Sequence, residues 1–151
     1  MSIETVMLAI GSSDEQRIEK LLTETIAVAK PAGATVVLGH VFTQSEYDET
    51  LEKLSFDQPN AEVTPDEVAR RYSTIREAAR TLADEGVDYE IHGMIGEDGD
   101  AIADLAERVG ADRVIVGGRR RTPAGKVVFG STAQTVMLSS PCPVTFVRSD
   151  E

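Results

Sequence analysis

Between Gly117 and Thr132 the chain carries two adjacent glycines, three consecutive arginines, a lysine and a Gly-Ser-Thr triplet, a set of residues suited to holding an oxyanion. Gly117 and Gly118 remove side chains where a ligand would approach. Gly130-Ser131-Thr132 opens a segment of helical periodicity, and the first backbone N–H groups of a helix have no partner within it. Arg119, Arg120, Arg121 and Lys126 surround these groups with positive charge. The bias is regional: residues 113–149 hold six basic residues and no acid, whereas the remainder holds 9 basic against 26 acidic. The same residues also suit a surface loop in which Ser131 only caps a helix and the arginines pair with acidic neighbours. Spacing leaves both open.

Other chemistries find less support. Gly125-Lys126 suggests a P-loop, but the upstream glycine falls at Arg120 and Val127 stands where a hydroxyl would hold magnesium. No GxGxxG follows the first apolar run, which argues against a dinucleotide site of the dehydrogenase kind. His40 and His92 both fall near expected strand ends and would need a third ligand to hold a metal, so no metal is expected. Asp98, Asp100 and Asp104 lack the spacing of a calcium loop and suit a helix start. No serine or cysteine is tied by motif to a histidine, so no catalytic residue is assigned, and at most a slow, incidental phosphate hydrolysis is expected. Cys142, the only cysteine, sits between two prolines and reads as a small core-facing residue.

These residues need a scaffold, and the hydrophobic pattern supplies one. Thr5 to Ile10 is a nearly continuous apolar run ended by Gly11-Ser12-Ser13, as expected of a strand covered on both faces. Ile18, Leu21, Leu22, Ile26 and Ala29 then recur at helical spacing up to Pro31 and Gly33, and Thr35 to Phe42 forms a second buried run. Residues 43–63 are polar and acidic, with a weak helical pattern at best, and read as a mobile excursion. Thr64-Pro65-Asp66-Glu67 caps a helix with its apolar stripe at Val68, Tyr72, Ile75, Ala79 and Leu82, closed by Gly86. Asp88 to Met94 alternates as an edge strand would. Ile102, Leu105, Ala106 and Val109 mark the next helix, Arg113 to Val116 a fourth strand, Ser131 to about Leu138 a last helix and Val144 to Val147 a last strand. Strict alternation implies an open five-stranded parallel sheet with helices on both faces, an α/β fold.

A chain of 151 residues is about one domain long, and residues 1–151 are read as a single domain. No stretch approaches the ~18 apolar residues of a membrane span, and the N-terminus lacks a basic, signal-like start, so no membrane is expected and a cytoplasmic location is. The net charge of −11 argues against nucleic acid as a partner. Only four of the 15 basic residues are lysines and the acids are dispersed, which fits a solvated acidic surface of halophilic type.

At the glycine-rich loop the chain resembles the universal stress protein family, whose nucleotide-binding members carry a glycine, two residues, a second glycine, nine residues, then glycine and serine or threonine. Here Gly117 holds the first position, Arg120 replaces the second glycine, and Gly130-Ser131 ends the frame. The His40-Val41 pair, the Gly96 turn before a helix carrying Ile102, and the closing Pro-Cys-Pro-Val-Thr-Phe-Val segment extend the resemblance over the whole chain. It implies an adenine nucleotide alpha hydrolase-like, Rossmann-like sheet of order 3-2-1-4-5. It also implies a stress-response sensor that binds ATP or a related phosphate-bearing nucleotide. Base and ribose would meet Ala9, Ile10, Gly11, Val41 and Val116; phosphates would face Gly117, Arg120, Gly130, Ser131 and Thr132. Family members that hold ATP use an aspartate just after the first strand; Gly11 stands there, so the adenosine end lacks that polar hook, and Arg120 either blocks the pocket or contacts an anion. A homodimer through Val144, Thr145, Phe146 and Val147 follows from the same resemblance and from a short apolar strand at an expected sheet edge. The alternative is a nucleotide-independent, dimeric interaction or chaperone-like stress protein with a degenerate pocket.

Overall fold

The computed structural model describes residues 2–53, 64–119 and 131–149. Five parallel strands, β1 (Thr5–Ala9), β2 (Thr35–Phe42), β3 (Tyr89–Ile95), β4 (Arg113–Arg119) and β5 (Val144–Ser149), form one sheet in the order β3-β2-β1-β4-β5. The helices are α1 (Ile18–Ala32), α2 (Gln44–Lys53), α3 (Pro65–Arg71), α4 (Ser73–Asp84), α5 (Asp98–Val109) and α6 (Ser131–Ser139). The expected architecture and strand order are both present. None of these helices is long and apolar enough to cross a membrane.

Side chains alternate across a strand, so a continuous apolar run feeds both faces of the sheet. Val6, Leu8 and Ile10 point with Val36 and Leu38 to a core completed by Leu21 and Leu22 of α1 and Ile75 and Leu82 of α4. Met7, Ala9, Val37 and Val41 point the other way, onto Ile102 and Leu105 of α5 and Ala133 and Val136 of α6. Half-buried Cys142 packs against this second core, in keeping with its sequence reading. Gly33 and Gly110 end α1 and α5 in left-handed conformation, at φ 66° and 68°, where a side chain would be strained.

Three local expectations are corrected. Part of the supposed excursion is a helix: α2 starts with reciprocal bonds, Thr43 N–H donating to Glu46 Oε1 at 2.9 Å and Glu46 N–H to Thr43 Oγ1 at 3.2 Å. Buried Tyr47 of α2 then meets Phe42 edge-on at 5.5 Å. Residues 54–63 lie outside the described residues. Second, the helix expected from Thr64 to Gly86 is two helices broken at Tyr72, whose ψ of 127° is extended, and this ring stacks on His40 at 4.5 Å. Periodicity cannot register the break, because Val68, Ile75 and Leu82 are buried on both sides of it.

Third, β4 does not stop at Val116 but runs through Gly117 and Gly118 to Arg119, paired with Val147, Arg148 and Ser149 of β5. A Cβ on Gly118 would come within 2.8 Å of the Phe146 ring, and one on Gly117 within 3.0 Å of Arg17 Cδ and Leu21 Cδ2. Close packing by the protein itself therefore uses these two glycines, beside any ligand approach. The two histidines stand apart: the register sets His92 beside Gly39 and His40 beside Gly93, so their side chains leave opposite faces of the sheet.

Candidate functional site

A cavity of about 130 Å³ opens where β1, β2 and β4 end, on either side of the central strand, the position at which strand order reverses. Its floor is Ala9 at the end of β1, Ile10 and Gly11 just after it, and Gly39 and Val41 of β2. Val116 and Gly117 of β4, Ile102 of α5, and Thr132 and Ala133 from the first turn of α6 close the other side. Two carboxylates join them, Asp14 from the 3-10 turn Ser12–Arg17 and Glu46 from α2. The volume is comparable with the ~150 Å³ that holds one small aromatic ring, so anything longer must extend out of it.

Of the residues named from sequence, Ala9, Ile10, Gly11, Val41, Val116, Gly117 and Thr132 line this cavity. Arg120 and Gly130, together with Arg121 and Lys126, lie outside the described residues, as does the side chain of Ser131, whose backbone begins α6. Val144, Thr145, Phe146 and Val147 lie on β5, the outermost strand beyond β4, away from the cavity. Among the described residues no group of three His, Cys, Asp or Glu side chains could hold a metal.

The sequence reading missed Asp14 and Glu46. Asp14 is buried at 7% exposure; its Oδ2 accepts the Gly11 N–H at 2.7 Å and its Oδ1 lies 3.0 Å from Arg17 Nε. Burial pushes its pKa above the ordinary carboxylate value, with the Gly11 N–H and the Arg17 charge pulling against that shift. The end of the pocket said to lack a carboxylate therefore has one, three residues later and bonded to the very glycine that occupies the expected position. In sequence Asp14 looks like an ordinary helix-start acid. The signal for Glu46 was the Thr43-x-x-Glu46 capping box, hidden in a segment without apolar rhythm.

His40 supports the cavity from behind. Its Nδ1 lies 2.5 Å from the Ile10 carbonyl, which can only accept, so Nδ1 carries the hydrogen. The ring packs against Tyr72 at 4.5 Å and Phe42 at 4.3 Å. Burial lowers its pKa, opposed by the Ile10 carbonyl and the Glu46 carboxylate. His40 thus ties the end of β1, which forms the cavity floor, to β2.

A mixed cavity of this kind, apolar walls at Val41, Ile102 and Val116 with polar groups at its two ends, suits a ring bearing a polar extension. Comparison with known proteins concerns the fold and the family. A 79-residue stretch covering 52% of the chain is 32% identical to a protein named universal stress protein from Mycolicibacterium smegmatis, spanning 61% of that protein. A solved universal stress protein from Archaeoglobus fulgidus, 25% identical, superposes with a TM-score of 0.68 over 98% of this chain and 100% of its own. A universal stress protein in complex with cAMP, 21% identical, superposes at 0.66 over 99% and 100% of the two chains. An Arabidopsis thaliana family protein with AMP bound, 15% identical, does so at 0.63 over 97% and 92%. The universal stress protein family model itself matches residues 2–148, and with nearly the whole chain accounted for in this way, the protein belongs to the universal stress protein family.

Proposed function

We propose that the protein is a stress-response ligand sensor that binds an adenine nucleotide, ATP or a related phosphate-bearing form, in the cavity between β1, β2 and β4. The observation that carries this reading is the cavity itself, with apolar walls for a ring, and the start of α6 on the β4 side. Thr132 and Ala133, in the first turn of this nine-residue helix, line the cavity, and the positive dipole end of a helix stabilises an anion. The nucleotides held by the cAMP- and AMP-bound relatives give the chemical class. On this reading Gly117, Arg120, Gly130, Ser131 and Thr132 attend the phosphates, and the protein works as a homodimer through β5. Its role is binding, with no catalytic step assigned to any residue.

Thermal unfolding with AMP, ADP, ATP and cAMP tests the reading, since a ligand at 100 times its Kd stabilises the fold by about 2.7 kcal/mol. At least one of the four is expected to raise Tm, and Thr132→Glu, which puts a negative charge at the start of α6, is expected to abolish that rise. Melting curves that none of the nucleotides moves would reject the reading and favour a nucleotide-independent interaction protein.

A further inference from the structure

We propose that His40 and Glu46 form a proton-operated switch: when the His40 ring takes up a second proton, it draws the Glu46 carboxylate off the start of α2 and so changes the cavity wall. The inference concerns the protein's own groups and holds whichever ligand the cavity takes.

His40 is 3% exposed. Its Nδ1–H goes to the Ile10 carbonyl, and its ring packs against Tyr72 and Phe42. Nε2 takes no hydrogen bond among the described residues, which a neutral ring tolerates because that nitrogen only accepts. A second proton sits on Nε2 and needs an acceptor, since an unpaired charge at such burial is strongly disfavoured. Most groups nearby are engaged. Tyr72, between α3 and α4, is hydrogen-bonded to Thr74. Asp14 of the 3-10 turn is held by the Gly11 N–H and Arg17, and Asp66 of α3 by the N–H of Gly93, the register neighbour of His40. Glu15 is exposed and acts on Tyr72. Glu46 of α2 is the carboxylate whose charge acts on His40. Its Oε1 accepts the Thr43 N–H, one half of the cap that starts α2, and its Oε2 takes no hydrogen bond among the described residues. A bond charged on both sides outcompetes one from the uncharged Thr43 N–H. α2 is also built to yield: it is polar apart from Tyr47 and Leu51, which rest on a satellite core with Phe42, Val68 and Ala69. Burial holds the His40 pKa below 6.5, against the pull of Glu46, so the switch works in acid below that value. Above pH 6.5 the ring is neutral, and Glu46 caps α2 and lines the cavity beside Gly39 and Val41.

The chain has two histidines, so the imidazole C–H resonances of His40 can be followed by NMR in the full protein from about pH 8 to 4.5, with His92→Gln giving the assignment. The His40 transition is expected below pH 6.5. Amide protection of α2, corrected for the intrinsic pH dependence of exchange, is expected to fall about three-fold or more through that transition, and that of α1 by less than about two-fold. Glu46→Gln keeps an acceptor for the Thr43 N–H and removes the charge. There the His40 transition is expected to move down by about half a pH unit or more. In His40→Gln, which keeps an N–H for the Ile10 carbonyl and cannot titrate, α2 protection is expected to stay level; melting curves check the fold of both variants. A His40 transition that is absent, lies at or above pH 6.5 or stays in place in Glu46→Gln overturns the inference, as does a loss of α2 protection shared by α1 or persisting in His40→Gln.

Discussion

The two edges of the sheet are finished in opposite ways. At β3 the chain closes its own edge: the start of α3 presses so tightly on Gly93 that a Cβ there would fall 2.2 Å from the Pro65 carbonyl oxygen, and Asp66 Oδ1 accepts the Gly93 N–H at 2.7 Å. At β5 no described element lies beyond the strand. Val114 of β4 donates to the Pro143 carbonyl, and alternate residues of a parallel strand bond to alternate sides. The backbone groups of Val144 and Phe146 therefore face outward, as do those of Arg148, whose carbonyl is met by Lys20 Nζ at 2.5 Å. Near this edge Leu138 at the end of α6 is 81% exposed. An unpaired strand edge invites association unless it is covered. Among the described residues, α3 covers part of the β3 edge, while Val144 and Phe146 of β5 meet no further strand, which is why the homodimer is proposed at β5 and not at β3.

The largest expected effect comes from reopening the closed side. Gly93→Val must push Pro65 and α3 away, and is expected to destabilise the fold by about 3 kcal/mol, read from urea unfolding. A loss below about 1 kcal/mol would mean that α3 is only loosely applied and that the contrast between the edges is weaker than described. On the open side, Val144→Pro removes an outward N–H that serves no bond within the sheet. Two such losses across a symmetric dimer, about 1 kcal/mol each, are expected to weaken association about thirty-fold by sedimentation, with little change in monomer stability. Undiminished dimerisation would move the contact away from β5.

The smallest effect is a slope with pH. Buried His40, stacked on Tyr72 beside the covered β3 side, has a folded-state pKa below the ordinary 6.5, so its neutral form is favoured by folding. Its contribution is present above pH 6.5 and is lost as pH falls from there toward the lowered folded value, because the unfolded chain takes up the proton first. Asp14 works oppositely at lower pH, since its raised pKa favours the protonated folded form below the ordinary 3.8 and loses that benefit as pH rises through the folded value. Urea midpoints taken from pH 7.5 down to 5.5 are expected to fall, about, with pH, and His40→Gln to flatten that fall. An unaltered slope in His40→Gln would assign it to other groups.

The strands and the helices α1, α5 and α6 were legible because they follow local rules: Thr5–Ala9 and Thr35–Phe42 bury both faces and so read as unbroken apolar runs, while α1 and α5 carry one apolar stripe and a terminal glycine. The floor of the cavity followed from those strands, since Ala9, Ile10, Gly11 and Val41 stand at their carboxyl ends. The two carboxylates did not, because Asp14 and Glu46 are exposed-type residues in polar stretches, and nothing in their neighbours along the chain indicates what lies above them. Residue order and hydrophobic period by themselves determined the class of fold, the succession of its five strands and the end of the sheet at which a ligand would sit, since each depends on contacts within a turn or a strand. Only the tertiary structure decided where α2 and α3 fold back, that Gly117 and Gly118 admit Arg17, Leu21 and Phe146, and that Glu46 faces the cavity. These outcomes depend on side chains far apart in sequence competing for the same space, and no local pattern records that competition.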